Sequence, residues 1–102
     1  MPIARRAEAA ERDLQNLAFH IAFTERRPLT ADRIIDDLIS QVDKLAQLST
    51  TSILGTPAPE IGEGVRLFSY KRWVILFRYE SHGIDVLRFA DGSQDYLSWR
   101  LS

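Results

Sequence analysis

The chain contains no cysteine. That excludes a disulfide framework, thiolate-bound zinc, iron–sulfur clusters and a thiol nucleophile, and it fits a reducing compartment. Long apolar runs are missing too. No segment approaches the roughly 20 apolar residues of a membrane span. Met1 to Asp13 mixes Arg, Ala and Glu without an apolar signal core, so we expect a soluble, cytoplasmic protein. Nor is there an excess of either charge: 13 basic against 14 acidic side chains leave a net charge of -1. Nothing global therefore draws the chain to nucleic acid. The only histidines, His20 and His82, lack the paired spacing of metal ligands, so no metal or cofactor is expected. Gly62 and Gly64 precede a strand pattern rather than a helix, which argues against a phosphate-binding loop.

What is present is material for one domain, residues 1–102. Of these 102 residues 45% are hydrophobic and 26% charged. A chain of this size buries roughly two thirds of the surface it exposes when unfolded. The charge is unevenly placed. Residues 1–27 sum to +1, residues 28–63 to -4 and residues 64–102 to +2.

Ala10, Leu14, Leu17, Ala18 and Ile21 recur at three- and four-residue steps, which predicts a helix over about 8–25. Phe19 and Phe23 are also four apart but lie off that stripe. They either widen the core, which we take as the first reading, or form a second apolar edge. Pro28 interrupts the pattern, and Thr30 offers a side-chain oxygen as the cap of a second helix over about 31–48. Ile34, Ile35, Leu38, Val42, Leu45 and Ala46 give that helix its stripe. The two helices should fold back as an antiparallel hairpin. Residues 49–64, rich in Ser, Thr, Gly and Pro, read as a long surface connection.

After Gly64 the period changes to two. Val65–Tyr70, Trp73 onward and Ile84–Phe89 read as strands, with turns at Lys71-Arg72 and Ser81-His82-Gly83. Trp73-Val74-Ile75-Leu76-Phe77 has the continuous apolar character of a strand buried on both faces. A short strand at Pro2–Arg6 completes an α+β fold, with the helical hairpin packed on a small, mainly antiparallel β-sheet. If Trp73, Ile75 and Phe77 face the helices, then Val74, Leu76, Leu87 and Phe89 face away. Only the tail, with Tyr96, Leu97, Trp99 and Leu101, is left to cover them. A large uncovered apolar face usually marks a partner site.

Taken together, these residues resemble the toxins of type II toxin-antitoxin systems of the RelE/ParE superfamily, and within it the ParE branch. The similarity runs through Asp13-Leu14, Asn16-Leu17 and Ile21-Ala22, then Arg33-Ile34-Ile35-Asp36, then Pro59-Glu60-Ile61-Gly62-Glu63-Gly64. In the strands it is carried by Gly64-Val65-Arg66-Leu67-Phe68, Val74-Ile75-Leu76-Phe77-Arg78 and Gly83-Ile84-Asp85-Val86-Leu87-Arg88. The departures matter as well. Where relatives close the last strand with His-Gly-x-Arg-Asp, this chain has Asp91-Gly92-Ser93-Gln94-Asp95, and Val74 stands where the RNA-cleaving members place an Arg. Phosphodiester cleavage needs charge stabilisation and a general acid or base, so these exchanges disfavour an mRNA nuclease.

The resemblance implies a non-catalytic toxin that binds a protein target, DNA gyrase, and is neutralised by a cognate ParD-like antitoxin in a hetero-oligomer. Arg88 interrupts an apolar strand and, with Tyr96, Trp99 and Arg100, is the expected target-binding set. The antitoxin is expected over Phe19, Phe23, Val74, Leu76, Arg78 and Phe89. Two bland readings stand beside these. The arginines Arg66, Arg78 and Arg88, with Lys71 and Arg72, can simply solvate the sheet or pair with Glu80, Asp85 and Asp91. The tail can simply cover the sheet face. The alternative functions are a RelE-type nuclease using Arg66, Arg72, Arg78 and Arg88, and a non-toxic relative that only binds its antitoxin.

Overall fold

Ala10, Leu14 and Ile21 are buried, as are Ala31, Leu38, Val42, Leu45 and Ala46, so both helical stripes face inward. The computed structural model, which describes residues 1–101, places them on α1 (Glu8–Phe19) and α2 (Pro28–Leu48). Between the helices runs a π-helical turn, His20–Thr24, in which the Glu25 N–H donates to the His20 carbonyl at 3.0 Å. Phe19 lies five residues beyond Leu14, about 140° around a helix of 3.6 residues per turn. It therefore points to solvent with Phe23, the two rings 4.8 Å apart and 63% and 68% exposed. Phe19 and Phe23 do not widen the core; they form the second apolar edge.

The chain then reverses through Arg26, whose φ of 55° lies in the left-handed region. Pro28 does not separate the helices, and Thr30 does not cap the second one. Pro28 is the first residue of α2, where a missing N–H is harmless because the first four amides of a helix have no partner within it. The helix opens with the Ala31 N–H donating to the Arg27 carbonyl at 2.9 Å.

Five strands make one sheet: β1 (Ile3–Arg6), β2 (Thr56–Pro57), β3 (Val65–Tyr70), β4 (Trp73–Glu80) and β5 (Gly83–Asp91). Their order is β1-β5-β4-β3-β2, with β1 parallel to β5 and every other pair antiparallel. The central strand is β4, buried without a break from Trp73 to Phe77. Gly83 starts β5 at φ 139°, and any Cβ there would strike the Ile3 carbonyl; glycine is what lets β1 dock against β5.

The sheet separates two apolar layers. Trp73, Ile75, Phe77, Ile84, Val86 and Phe89 pack against the helices. Val65, Val74, Leu76 and Ala90 face the other way. Phe89 therefore lies on the opposite face from the one its alternation predicts. The cause is a β-bulge: Leu76 pairs with Arg88 and Phe77 with Val86, so Leu87 is an extra residue and the face alternation of β5 inverts beyond it.

The second face is not open either. Ala58 and Ile61 from the long connection and Tyr96, Trp99 and Leu101 from the tail cover it. The connection is fastened at several points. Arg66 donates to the Leu54 and Gly55 carbonyls at 2.9 and 2.8 Å, the Leu54 N–H donates to the Tyr79 hydroxyl oxygen at 2.8 Å, and Arg78 donates to the Glu63 carbonyl at 2.8 Å.

Phe77→Ala should cost about 3–5 kcal/mol, because it opens a cavity under β4 that neighbouring elements cannot fill. Phe19→Ala, on the solvent side, should cost less than about 1 kcal/mol. Denaturant melts of the two variants check both values, and a large loss from Phe19→Ala would contradict its placement outside the core.

Candidate functional site

Where β1 ends, the edge of β5 meets α1, and a cleft of about 290 Å³ opens between them. Asp13, Asn16, Leu17 and His20 line it from the helical side, and Trp73, Arg88, Phe89, Asp91 and Gln94 from the sheet. Its centre is the Asp13 carboxylate. Arg88 donates to it twice, from Nε at 2.7 Å and Nη2 at 3.0 Å, and the Phe89 backbone N–H donates to the same carboxylate at 2.9 Å. The other side of the Arg88 guanidinium lies 4.1 Å from the Trp99 ring centroid. The hydrogen bond to Asp13 raises the Arg88 pKa against the opposing effect of partial burial.

A second cluster closes the far end of the cleft. Arg72 lies 4.3 Å above the Trp73 ring, donates to Glu25 at 3.0 Å and pairs with Asp91 at 3.5 Å. His20 approaches Glu25 at 3.3 Å. The hydrogen bond from Arg72 holds the Glu25 carboxyl below the usual carboxylate range, with the charges of Arg72, His20 and Arg27 adding to it. Among the described residues, no three His, Asp or Glu side chains converge as a metal site requires.

The expected site residues fall into three places. Val74, Leu76 and Phe89 are buried by the chain's own packing, so they present no surface to an antitoxin. Phe19 and Phe23 are exposed at the tip of the helical hairpin, beside the 82%-exposed Leu29 and the exposed Arg26 and Arg27. Arg78 is half-buried and occupied with Glu63. Of the target-binding set, Arg88 turns inward to Asp13 and is not a free cation on the surface. Tyr96 and Trp99 are half-buried on the second face, and exposed Arg100 donates to the Leu97 and Trp99 carbonyls at 3.3 and 2.8 Å. Only Arg72 found a partner named for it, Asp91; Arg66 and Arg78 bind carbonyls, and Asp85 pairs with His82 at 2.7 Å instead.

Asp13 and Trp73 carry this site without having been singled out for chemistry. A signal for Asp13 existed. It lies three residues after Ala10 and four before Leu17, so a carboxylate interrupts an apolar helical stripe just as Arg88 interrupts an apolar strand. Two opposite charges in such positions can satisfy each other only by meeting.

The element order builds a helical hairpin laid on a five-stranded, mostly antiparallel sheet. The family described as "ParE toxin of type II toxin-antitoxin system, parDE" matches residues 5–96, and the chain belongs to it. A solved chain from the "Chromosomal ParDE TA system from P. aeruginosa" superposes with a TM-score of 0.73 at 24% identity, covering 89% of this chain and 96% of its own length, which supports the fold. Among curated proteins there is no match.

Asp13→Asn should remove about 2 kcal/mol of stability, since it weakens charge-assisted bonds to a half-buried arginine; chemical denaturation checks it. The second cluster makes a pH-dependent contribution. Because the folded Glu25 pKa lies below its unfolded value, this stabilisation is fully present above the ordinary carboxylate pKa and lost as pH falls through the folded value. Glu25→Gln should therefore flatten the acid limb of a Tm-against-pH curve while leaving its slope near neutrality unchanged.

Proposed function

We propose that this chain acts without catalysing a reaction, as a toxin that binds and inhibits DNA gyrase and is neutralised by a cognate antitoxin. The observation that carries the non-catalytic reading is the engagement of its sheet arginines. Arg66 and Arg78 donate to backbone carbonyls, Arg72 to Glu25 and Arg88 to Asp13. A nuclease needs such cations aimed at a scissile phosphate, and redirecting these would break bonds that fasten the fold. Membership of the ParE family supports the gyrase target.

The hairpin tip supports the antitoxin surface. Phe19 and Phe23, in ring contact, and Leu29 are the most exposed large apolar side chains of the helical layer, and the exposed Arg26 and Arg27 lie between them in the chain. An amphipathic antitoxin segment with acidic residues beside its apolar anchors fits that arrangement.

A supercoiling assay with purified gyrase tests the target. We expect dose-dependent inhibition, and unchanged supercoiling at large molar excess would overturn the gyrase assignment. Translation-dependent transcript cleavage by the purified chain would overturn the non-catalytic reading. For the antitoxin surface, a Phe19→Ala/Phe23→Ala double variant should bind the antitoxin about tenfold or more weakly while inhibiting gyrase normally. Titration calorimetry alongside the supercoiling assay separates the two effects.

A further inference from the structure

The tail covers the second sheet face with few attachments. Among the described residues, the backbone of Tyr96–Leu101 reaches beyond the tail in one hydrogen bond, from the Leu101 N–H to the Ile61 carbonyl at 2.6 Å. The short 3-10 turn at Tyr96–Ser98 is closed by bonds within the tail itself, such as Trp99 N–H to the Tyr96 carbonyl at 3.1 Å. Tyr96, Trp99 and Leu101 are only half-buried, and Leu97 is 52% exposed. Beneath them, by contrast, Leu76 is fully buried and Val74 and Ala90 nearly so. The helix-side core contains no tail residue.

One side chain ties this tail to the opposite layer of the molecule. Arg88 stacks on Trp99 with one face while its edge binds Asp13 of α1. A guanidinium stacked on a ring and held edge-on by a carboxylate has its plane fixed by both partners. If Asp13 lets go, the stacking surface offered to Trp99 is no longer held in place.

We propose that residues Tyr96–Leu101 form a detachable strap, latched through Arg88, whose release uncovers an apolar sheet face while the helix-side core stays closed. The segment occupying that face in the closed state is the strap itself. Opening exposes Val74, Leu76 and Ala90 together with the flanking Leu67 and Leu87. Segments that open below the global unfolding energy are those with few backbone bonds and shallow burial, and the strap has both properties.

Gly62 supplies a test that leaves the latch untouched. Its φ lies outside the left-handed region, so alanine is allowed by the backbone, but a Cβ there would collide with the Leu101 carbonyl and press on the Val65 side chain at 3.0 Å. Native-state hydrogen exchange on the full chain reads the outcome through the Leu101 amide, with the β4 amides as the internal standard. In the unmodified chain Leu101 should exchange at least about tenfold faster than β4. Equal protection would overturn the proposal, because the strap would then open only with the whole fold.

Gly62→Ala should raise Leu101 exchange about tenfold further relative to β4 and create binding of a fluorescent apolar dye. A proportional rise in both sets of amides, with no dye binding, would count against a separate strap. The latch has its own readout. Asp13→Asn should also raise Leu101 exchange relative to β4, although the hydrogen bonds of Asp13 go to Arg88 and Phe89 and not to the described strap residues, and Arg88→Lys should do the same because a lysine keeps the charge but loses the stack. Unchanged relative exchange in both variants would remove Arg88 from the mechanism.

Discussion

The Asp13 carboxylate accepts from a guanidinium and from a strand amide, and much of the molecule is arranged around that group. β5 outruns its parallel neighbour: β1 reaches only as far as Val86. Beyond that point the amides of β5 need other partners, since an unpaired backbone donor next to a core is costly. Asp13 takes the Phe89 N–H and so finishes the sheet edge with a helix in place of a sixth strand. The same carboxylate compensates the charge that Arg88 brings into an apolar strand. Edge protection, charge neutralisation and docking of α1 on β5 thus rest on one side chain.

The bulge at Leu87 makes this geometry possible. A strand of strict alternation would have sent Phe89 to the second face and left the helix-side core short of an aromatic ring. The inserted residue places Phe89 under the helices and sends Arg88 to the margin, where it can touch both α1 and the tail. Bulges commonly re-aim side chains in this way. Here the two residues that follow it hold the cleft to the rest of the structure.

The layered architecture could be read from periodicity because helix and strand spacing differ so clearly across Gly64. Both helices, the three long strands and the short first strand follow from that pattern, whereas it leaves open whether the tail covers the second face or projects from it. Besides β2 and the start of α2 at Pro28, three features do not follow, each for a physical reason. A bulge changes no residue type, so the inversion at Phe89 left no trace in the alternation. The π-helical turn did not put Phe19 and Phe23 outside the core; their angular offset from Leu14 did, and an apolar pair at helical spacing looks the same whether it meets a neighbour or water. The arginines were visible as interruptions, but their acceptors are backbone carbonyls and a helix carboxylate far away in the chain. Of the cleft, the sequence marks Arg88 as an interruption of an apolar strand, though for a different role, and Asp13 as a carboxylate within an apolar helical stripe.

The pairing of the first strand with the last has a consequence for synthesis. β1 is synthesised before the other strands, but among the described residues its strand partner runs from Gly83 to Asp91. Until those residues emerge, Ile3 to Arg6 have no ladder to join, α1 has no β5 edge to cap, and the helix-side core lacks Ile84, Val86 and Phe89. Non-local pairing of this kind delays folding until loop closure is possible. A chain synthesised only as far as β4 therefore lacks the cleft, whose sheet-side wall is completed by Arg88, Phe89 and Asp91 of β5.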